Sequence, residues 1–170
     1  NMWRFAELLP VFQDENIITL GEGATPLLNA SNIGKSLNMG HLFIKEEGLN
    51  PTGTFKARGL SAAISKAKEL GATGFTIPSA GNAAGAAAVY CARAGLNVKV
   101  YMPQDAPDAN KKECLLADSE LNLVDGHIGD AGRQAVAVAE EEKLFDLSTL
   151  KEPYRAEGKK TMALEIAMQL

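Results

Sequence analysis

An amine on the first turn of a helix, entered through a rigid turn, is the group in this chain best placed for covalent chemistry. Residues Pro51-Thr52-Gly53-Thr54-Phe55-Lys56-Ala57-Arg58-Gly59 have that pattern, with Lys56 at the helix start. The positive end of a helix dipole disfavours an ammonium there. A free lysine, with a pKa near ~10.4, is neutral in only about one molecule in a few thousand at pH 7. A setting that favours the neutral amine helps it attack a carbonyl and form an imine. Lys45, Lys66 and Lys68 lack such a setting and are expected to be ordinary solvated lysines.

A second segment, Ser79-Ala80-Gly81-Asn82, has small residues that let a ligand approach the backbone closely. N–H groups at the start of the following helix attract a carboxylate or phosphate. The Asn82 amide can donate to a phenolate-like oxygen. Taken alone, this segment is a tight βα turn with an Asn cap. Beside the lysine motif it becomes a ligand loop.

Alternating short apolar runs and helical patterns must position these two segments. Strands are expected at 42–44, 75–77, 98–102, 121–124 and 144–147. Helices are expected at 54–70, 82–93, 108–117 and 130–143, with Asp108 an N-cap and Gly95 closing the second. The pattern predicts an α/β fold, a parallel sheet in a three-layer αβα arrangement. In such a sheet every strand ends on one edge, where ligands bind. Topology therefore brings Lys56 and the 79–82 loop to that edge, with the loops at Pro103, Gly126 and Ser148-Thr149. The first forty residues are turn-rich and are expected to wrap over a neighbouring region. Residues 157–170 predict an amphipathic helix with Met162, Ile166 and Leu170 on its apolar stripe.

Bulk properties narrow the classes. The chain has 170 residues and a net charge of -4, which argues against general attraction to nucleic acid. Its longest apolar stretch, Ala83 to Ala92, is too short to span a bilayer. Cys91 and Cys114 form no CxxC pair and no His/Cys cluster, so no metal site is expected. They suit buried free thiols in a reducing cytoplasm. His41 and His127 are expected to be loop or core residues. No G-x-G-x-x-G follows a strand, which disfavours a nucleotide-binding module.

Residues 50–59 resemble the cofactor-lysine motif of the pyridoxal-phosphate enzymes with the tryptophan synthase β-subunit fold (fold type II). Ser79-Ala80-Gly81-Asn82 resembles their Ser/Thr-x-Gly-Asn loop. Within that group the chain looks most like the threonine synthases, through residues 21–27, 45–48 and 153–161. The resemblance spans roughly Trp3 to the C-terminus. It implies pyridoxal 5'-phosphate as cofactor, held by Lys56 as an imine, with Lys56 then moving protons at the substrate carbons. It implies Asn82 on the cofactor's 3'-oxygen, and Ser79, Ala80 and Gly81 around the substrate carboxylate. Arg155 falls where the family places an arginine near the substrate phosphate, although it could equally be a surface arginine.

The implied reaction converts O-phosphohomoserine and water into threonine and phosphate. The alternatives are a threonine/serine dehydratase, a related β/γ-replacement synthase such as one acting on phosphoserine, and a non-catalytic binding module. Ala57 departs from the Asp of many relatives, and Ala83 from the Thr of some threonine synthases. The family's glycine-rich phosphate cradle and the residue facing the pyridine nitrogen have no counterpart here. The chain is therefore expected to be a fragment that is inactive alone. Residues 1–60 would belong to a larger cofactor domain, 61–150 to a smaller mobile one, and 151–170 to the return into the larger. The expected partner is a small amino-acid phosphate; a full-length protein could form a homodimer.

Overall fold

Prolines and glycines interrupt the first fifty residues too often for long regular elements. The computed structural model, which describes residues 1–170, has only short elements there: 3-10 turns at Met2–Leu8, Asp14–Asn16 and Glu47–Leu49, a small ribbon and a six-residue helix. The ribbon pairs β1 (Leu27–Asn29) antiparallel with β2 (Phe43–Lys45), and α1 (Ser31–Ser36) lies between them in sequence.

Regular structure begins at α2 (Lys56–Glu69). It continues through β3 (Gly74–Pro78), α3 (Asn82–Ala94), β4 (Asn97–Pro103) and α4 (Asp108–Leu116). It ends with β5 (Glu120–Val124), α5 (Ile128–Glu142), β6 (Phe145–Asp146) and α6 (Tyr154–Gln169). The four strands β3 to β6 form one parallel sheet in the order β5-β4-β3-β6.

Period-two alternation along β4 sorts the two faces. Val98, Val100 and Met102 join the main core with α2, α3 and Cys114 of α4. Tyr101 points the other way, into a smaller cluster with Val124, Ala131 and Ala135, beneath α5. Helices thus cover both faces, as the alternation in the sequence implies. The Ala-rich face of α3 lies against the main core without large side chains to hold it apart from the sheet.

Helix α2 is buried along Ala57–Lys66 and beyond, not on one stripe alone. It packs against α3 and α6, and the N-terminal residues Met2, Trp3, Leu9 and Val11 close over Ala62. The expected domain boundary at 60/61 falls inside this helix.

Local start signals shift slightly. Pro107, not Asp108, is the N-cap of α4, and Asp108 opens the helix. Helix α5 starts at Ile128 because His127 is its cap, its backbone N–H donating to Asp130 at 2.7 Å. Gly95 ends α3 in the left-handed conformation, with φ of 67°.

Candidate active site

Lys56 is the first residue of α2. Its backbone N–H donates to Thr54 Oγ1 at 3.4 Å, and its Nζ sits 4.5 Å from the Phe55 ring centroid. The side chain is half-buried, and it forms no ion pair. It lines a cavity of about 90 Å³ with Leu60, Ala83, Thr149, Arg155 and Lys159 among its neighbours. Ala83 directly follows Asn82, so the cavity reaches the first turn of α3, but Ser79, Ala80, Gly81 and Asn82 themselves do not line it. Thr149 joins the wall from the loop after β6; Pro103 and Gly126 do not line this cavity.

The first turn of α6 completes the wall because α2 and α6 cross closely. A Cβ on Gly59 would lie 2.9 Å from the Arg155 carbonyl oxygen. Arg155 and Lys159, four residues apart, share one face of α6. Arg155 is not a surface arginine, since its side chain is 11% exposed. Its Nε donates to Glu152 Oε1 at 2.6 Å, and its backbone N–H to Glu152 Oε2 at 2.9 Å. Lys159 has no such partner; its Nζ lies 5.7 Å from the same Phe55 ring. Burial first, then the Lys56 and Arg155 charges, push the Lys159 ammonium below the usual lysine range, against the pull of Glu152.

The 79–82 loop runs from β3 into α3. Its backbone is held at Ala80, whose carbonyl accepts from Asn110 Nδ2 of α4 at 2.7 Å, and at Gly81, whose N–H donates to Ser79 Oγ at 3.3 Å. Gly81 precedes α3 without a side-chain cap, and Asn82 is exposed. A larger open groove of about 470 Å³ lies between the end of β3 and α5 and does not include Lys56.

Beneath this edge lies an ionic node that sequence reasoning missed. Arg58, fully buried, donates to Glu47 through Nε and Nη2 at 2.7 and 2.8 Å. It also donates to Glu165 through Nη1 and Nη2 at 2.8 and 2.7 Å. Lys45 Nζ reaches Glu165 at 2.8 Å with its side chain 8% exposed, so Lys45 is not the solvated lysine expected. Lys66 is likewise nearly buried and paired with Glu69, whereas Lys68 remains near the surface. Burial alone would raise Glu165, but hydrogen bonds from Arg58, Lys45 and the Ala24 N–H outweigh it and hold the carboxyl at about 2. Glu47 is lowered on the same grounds, by Arg58 and Thr25 against burial.

A second node centres on Glu22, also fully buried. Its carboxylate accepts from Tyr90 Oη and Ser61 Oγ, each at 2.6 Å, and from Trp3 Nε1 at 3.0 Å.

The pyridoxal-phosphate dependent enzyme family matches residues 18–170. The chain belongs to this family. Among its relatives is the threonine synthase of Methanosarcina acetivorans, 36% identical over 171 residues that cover 100% of this chain and 42% of that protein. The threonine synthase of Synechocystis sp. is 41% identical over 93% of this chain and 42% of its own length. That of Halalkalibacterium halodurans is 37% identical over 98% and 48%. The chain thus spans under half the length of these curated relatives. Maize serine racemase superimposes with a TM-score of 0.78 at 25% identity, over 86% of this chain and 44% of that one. Holo diaminopropionate ammonia lyase from Escherichia coli reaches 0.84 over 99% and 48%, at 16% identity, which shows the shared fold alone.

The donor set present fits the family's cofactor. Lys56 is an amine with no carboxylate competing for it, beside an uncapped helix start, a loop of small residues and an exposed amide at Asn82. Those are the groups an aldehyde-bearing aromatic phenol requires. Cys91 and Cys114 are buried free thiols, and no helix is long and apolar enough to cross a membrane.

Proposed function

We propose that the full-length protein is a threonine synthase, converting O-phosphohomoserine and water to threonine and phosphate. Phosphate leaves the γ-carbon and water adds at the β-carbon. The observation that carries this reading is the shared cavity of Lys56, Ala83 and Arg155, in a chain 36–41% identical to curated threonine synthases.

Pyridoxal phosphate, when bound, supplies the electron sink for carbanion chemistry. This chain's residues do the rest. Lys56 would hold the cofactor at its aldehyde end and would carry protons between the substrate carbons. The Asn82 amide would donate to the cofactor's 3'-oxygen. Ser79, Ala80 and Gly81 would surround the substrate carboxylate, with the Ala80 N–H as the backbone donor left over, since the Ser79 N–H donates to the Tyr101 carbonyl at 3.0 Å and the Gly81 N–H to Ser79 Oγ at 3.3 Å; the Asn110 clamp on the Ala80 carbonyl holds that loop in place. Arg155 stands at the substrate phosphate end.

Residues 1–60 and 151–170 would belong to a larger cofactor domain and 61–150 to a smaller mobile one. Leu28, Ile33, Leu37 and Ile44 on β1, α1 and β2 are exposed, which suits a segment that packs on a neighbouring region. A reducing cytoplasm suits the two free thiols. A homodimer would suit the full-length enzyme, and the net charge of -4 gives nucleic acid no general attraction.

The test is an assay of the full-length protein with cofactor and O-phosphohomoserine. Phosphate release matched by threonine supports the reading. Ammonia and a keto acid would show a dehydratase instead. Lys56→Ala should abolish both turnover and the cofactor's visible absorbance shift.

A further inference from the structure

Helices α2 and α3 carry the two halves of the site at their first turns, Lys56 on one and Asn82 on the other. They pack together through an apolar core, in which Ala63 and Ala67 of α2 join Ala84, Ala87 and Ala88 of α3. Apolar contact is non-directional, so it holds the helices together without fixing how far one slides past the other. No side chain of α2 hydrogen-bonds to a side chain of α3. The polar bridge comes from outside both helices, through the fully buried Glu22 carboxylate. Its Oε2 accepts from Tyr90 Oη of α3 at 2.6 Å, and its Oε1 lies 2.6 Å from Ser61 Oγ of α2. Ser61 Oγ also reaches the Ile18 carbonyl at 2.7 Å. Trp3 Nε1, Thr19 Oγ1 and the Leu20 N–H donate to the same carboxylate at 3.0, 3.1 and 3.0 Å.

We propose that Glu22 is a positioning residue for the reaction: it pins α3 to α2 through Tyr90 and Ser61 and so fixes where the 79–82 loop stands relative to Lys56. This rests on the functional reading above, in which the loop and the lysine act on one substrate. Ser61 is five residues past Lys56, roughly 7.5 Å along the helix axis, and Tyr90 is eight past Asn82, roughly 12 Å. Each lies inside its helix, so a shift at the pin is carried along the axis to the helix start. The pin is itself tied to the entry turn of the lysine. Gly21 and Gly23, with φ of 92° and 87°, flank Glu22 in the left-handed conformation that glycine adopts freely. The Gly23 N–H donates to Asn50 Oδ1 at 2.9 Å, just before Pro51, and the Met2 N–H donates to the Glu22 carbonyl at 2.7 Å. The Glu22-Gly23 strap thus bears on the entry turn, α2 and α3 at once. Burial first, then the Glu22 charge, push the Tyr90 phenol far above its usual range, which keeps it an O–H donor.

The experiment uses the full-length protein loaded with pyridoxal phosphate, as the parent, Tyr90→Phe, Ser61→Ala and the double variant. Each single change deletes one hydroxyl at one end of the pin. Rates with O-phosphohomoserine give kcat and KM per folded molecule, and urea unfolding gives stability. Hydrogen exchange read by mass spectrometry follows the amides of residues 79–85 without substrate. The inference expects each single variant to lower kcat about tenfold or more, as for a small misplacement of reacting groups. KM should change little, because the loop itself is intact, and exchange at 79–85 should rise. Both changes open the same link, so the double variant should lose little beyond the worse single one. Losses that multiply, an unchanged kcat beside a lowered urea midpoint, or unchanged exchange at 79–85 overturns the inference, since Glu22 would then only hold the fold. If Tyr90→Phe does not fold, Ser61→Ala decides alone by kcat and exchange. If the parent forms no threonine but exchange at 79–85 still rises in the single variants without multiplying in the double, the pin stands and the threonine synthase reading falls.

Discussion

Gly158 of α6 lies directly against the carbonyl oxygen of Arg58 in α2: a Cβ at Gly158 would be 2.2 Å from that oxygen and 2.8 Å from Ala62 Cβ. Backbone cannot yield there as a flexible side chain would. Gly158→Ala should therefore push α6 off α2 and cost about 1–3 kcal/mol or more of stability. Urea unfolding of the full-length protein measures it. The same change should weaken substrate binding, because Arg155 rides on α6.

Arg58→Met removes the cation from a buried node and leaves Glu47 and Glu165 facing each other with only Lys45 between the two charges. The expected loss is about 3–5 kcal/mol, typical of a buried pair broken on one side. Arg58→Lys should not rescue it, since an ammonium cannot reproduce two forked contacts. Chemical denaturation of the three proteins in parallel provides the comparison.

Acid should act through the same node. Glu165 and Glu47 both have lowered pKa values in the folded chain. A depressed carboxyl contributes stability that is complete above its unfolded value and lost as pH falls through the folded one. For Glu165 the window runs from about 4.5 down to about 2. Urea midpoints at neutral pH and across that window should fall steeply in the parent. In Glu165→Gln the baseline stability should be lower and the slope shallower; an unchanged slope would remove Glu165 from the acid response.

Thr76 gives the opposite expectation. Its hydroxyl is buried in β3 without a hydrogen-bond partner. A buried hydroxyl left unpaired costs about 1–3 kcal/mol. Thr76→Val keeps the shape and removes the polar atom, so stability should hold or rise by about 1 kcal/mol. A clear loss in thermal unfolding would mean that the hydroxyl has a partner in the folded protein.

The parts of this fold governed by near neighbours in sequence were readable from it. The strand runs ended at Pro78 and Pro103, and Gly95 closed α3, because each signal acts within a few residues. The buried face of helix α6 is illegible in the sequence for the converse reason. Its apolar stripe of Met162, Ile166 and Leu170 is partly or fully exposed, while Gly158, Thr161 and Glu165 are buried. A glutamate belongs in that interior only because Arg58, 107 residues earlier, meets it there. The pairing of Lys45 is hidden from local sequence on the same account, its partner Glu165 being 120 residues away. Lys159 carries no expectation of its own in the sequence, and the fold alone separates it, half-buried in the cavity wall, from exposed Lys160. The Tyr-Arg-x-Glu-Gly-Lys-Lys-Thr stretch drew notice to Arg155, yet the i, i+4 spacing of Arg155 and Lys159 was the available sign that both share a wall.

Trp3 is the only tryptophan in these 170 residues, and its indole N–H is shared between Glu22 and Ser61 of α2, at 3.0 Å each. The chain therefore carries its own fluorophore at the seam where the N-terminal turns are seated. Its emission is a local gauge of that seam, so a red shift ahead of the loss of helical circular dichroism would report the turns lifting away before the sheet gives way.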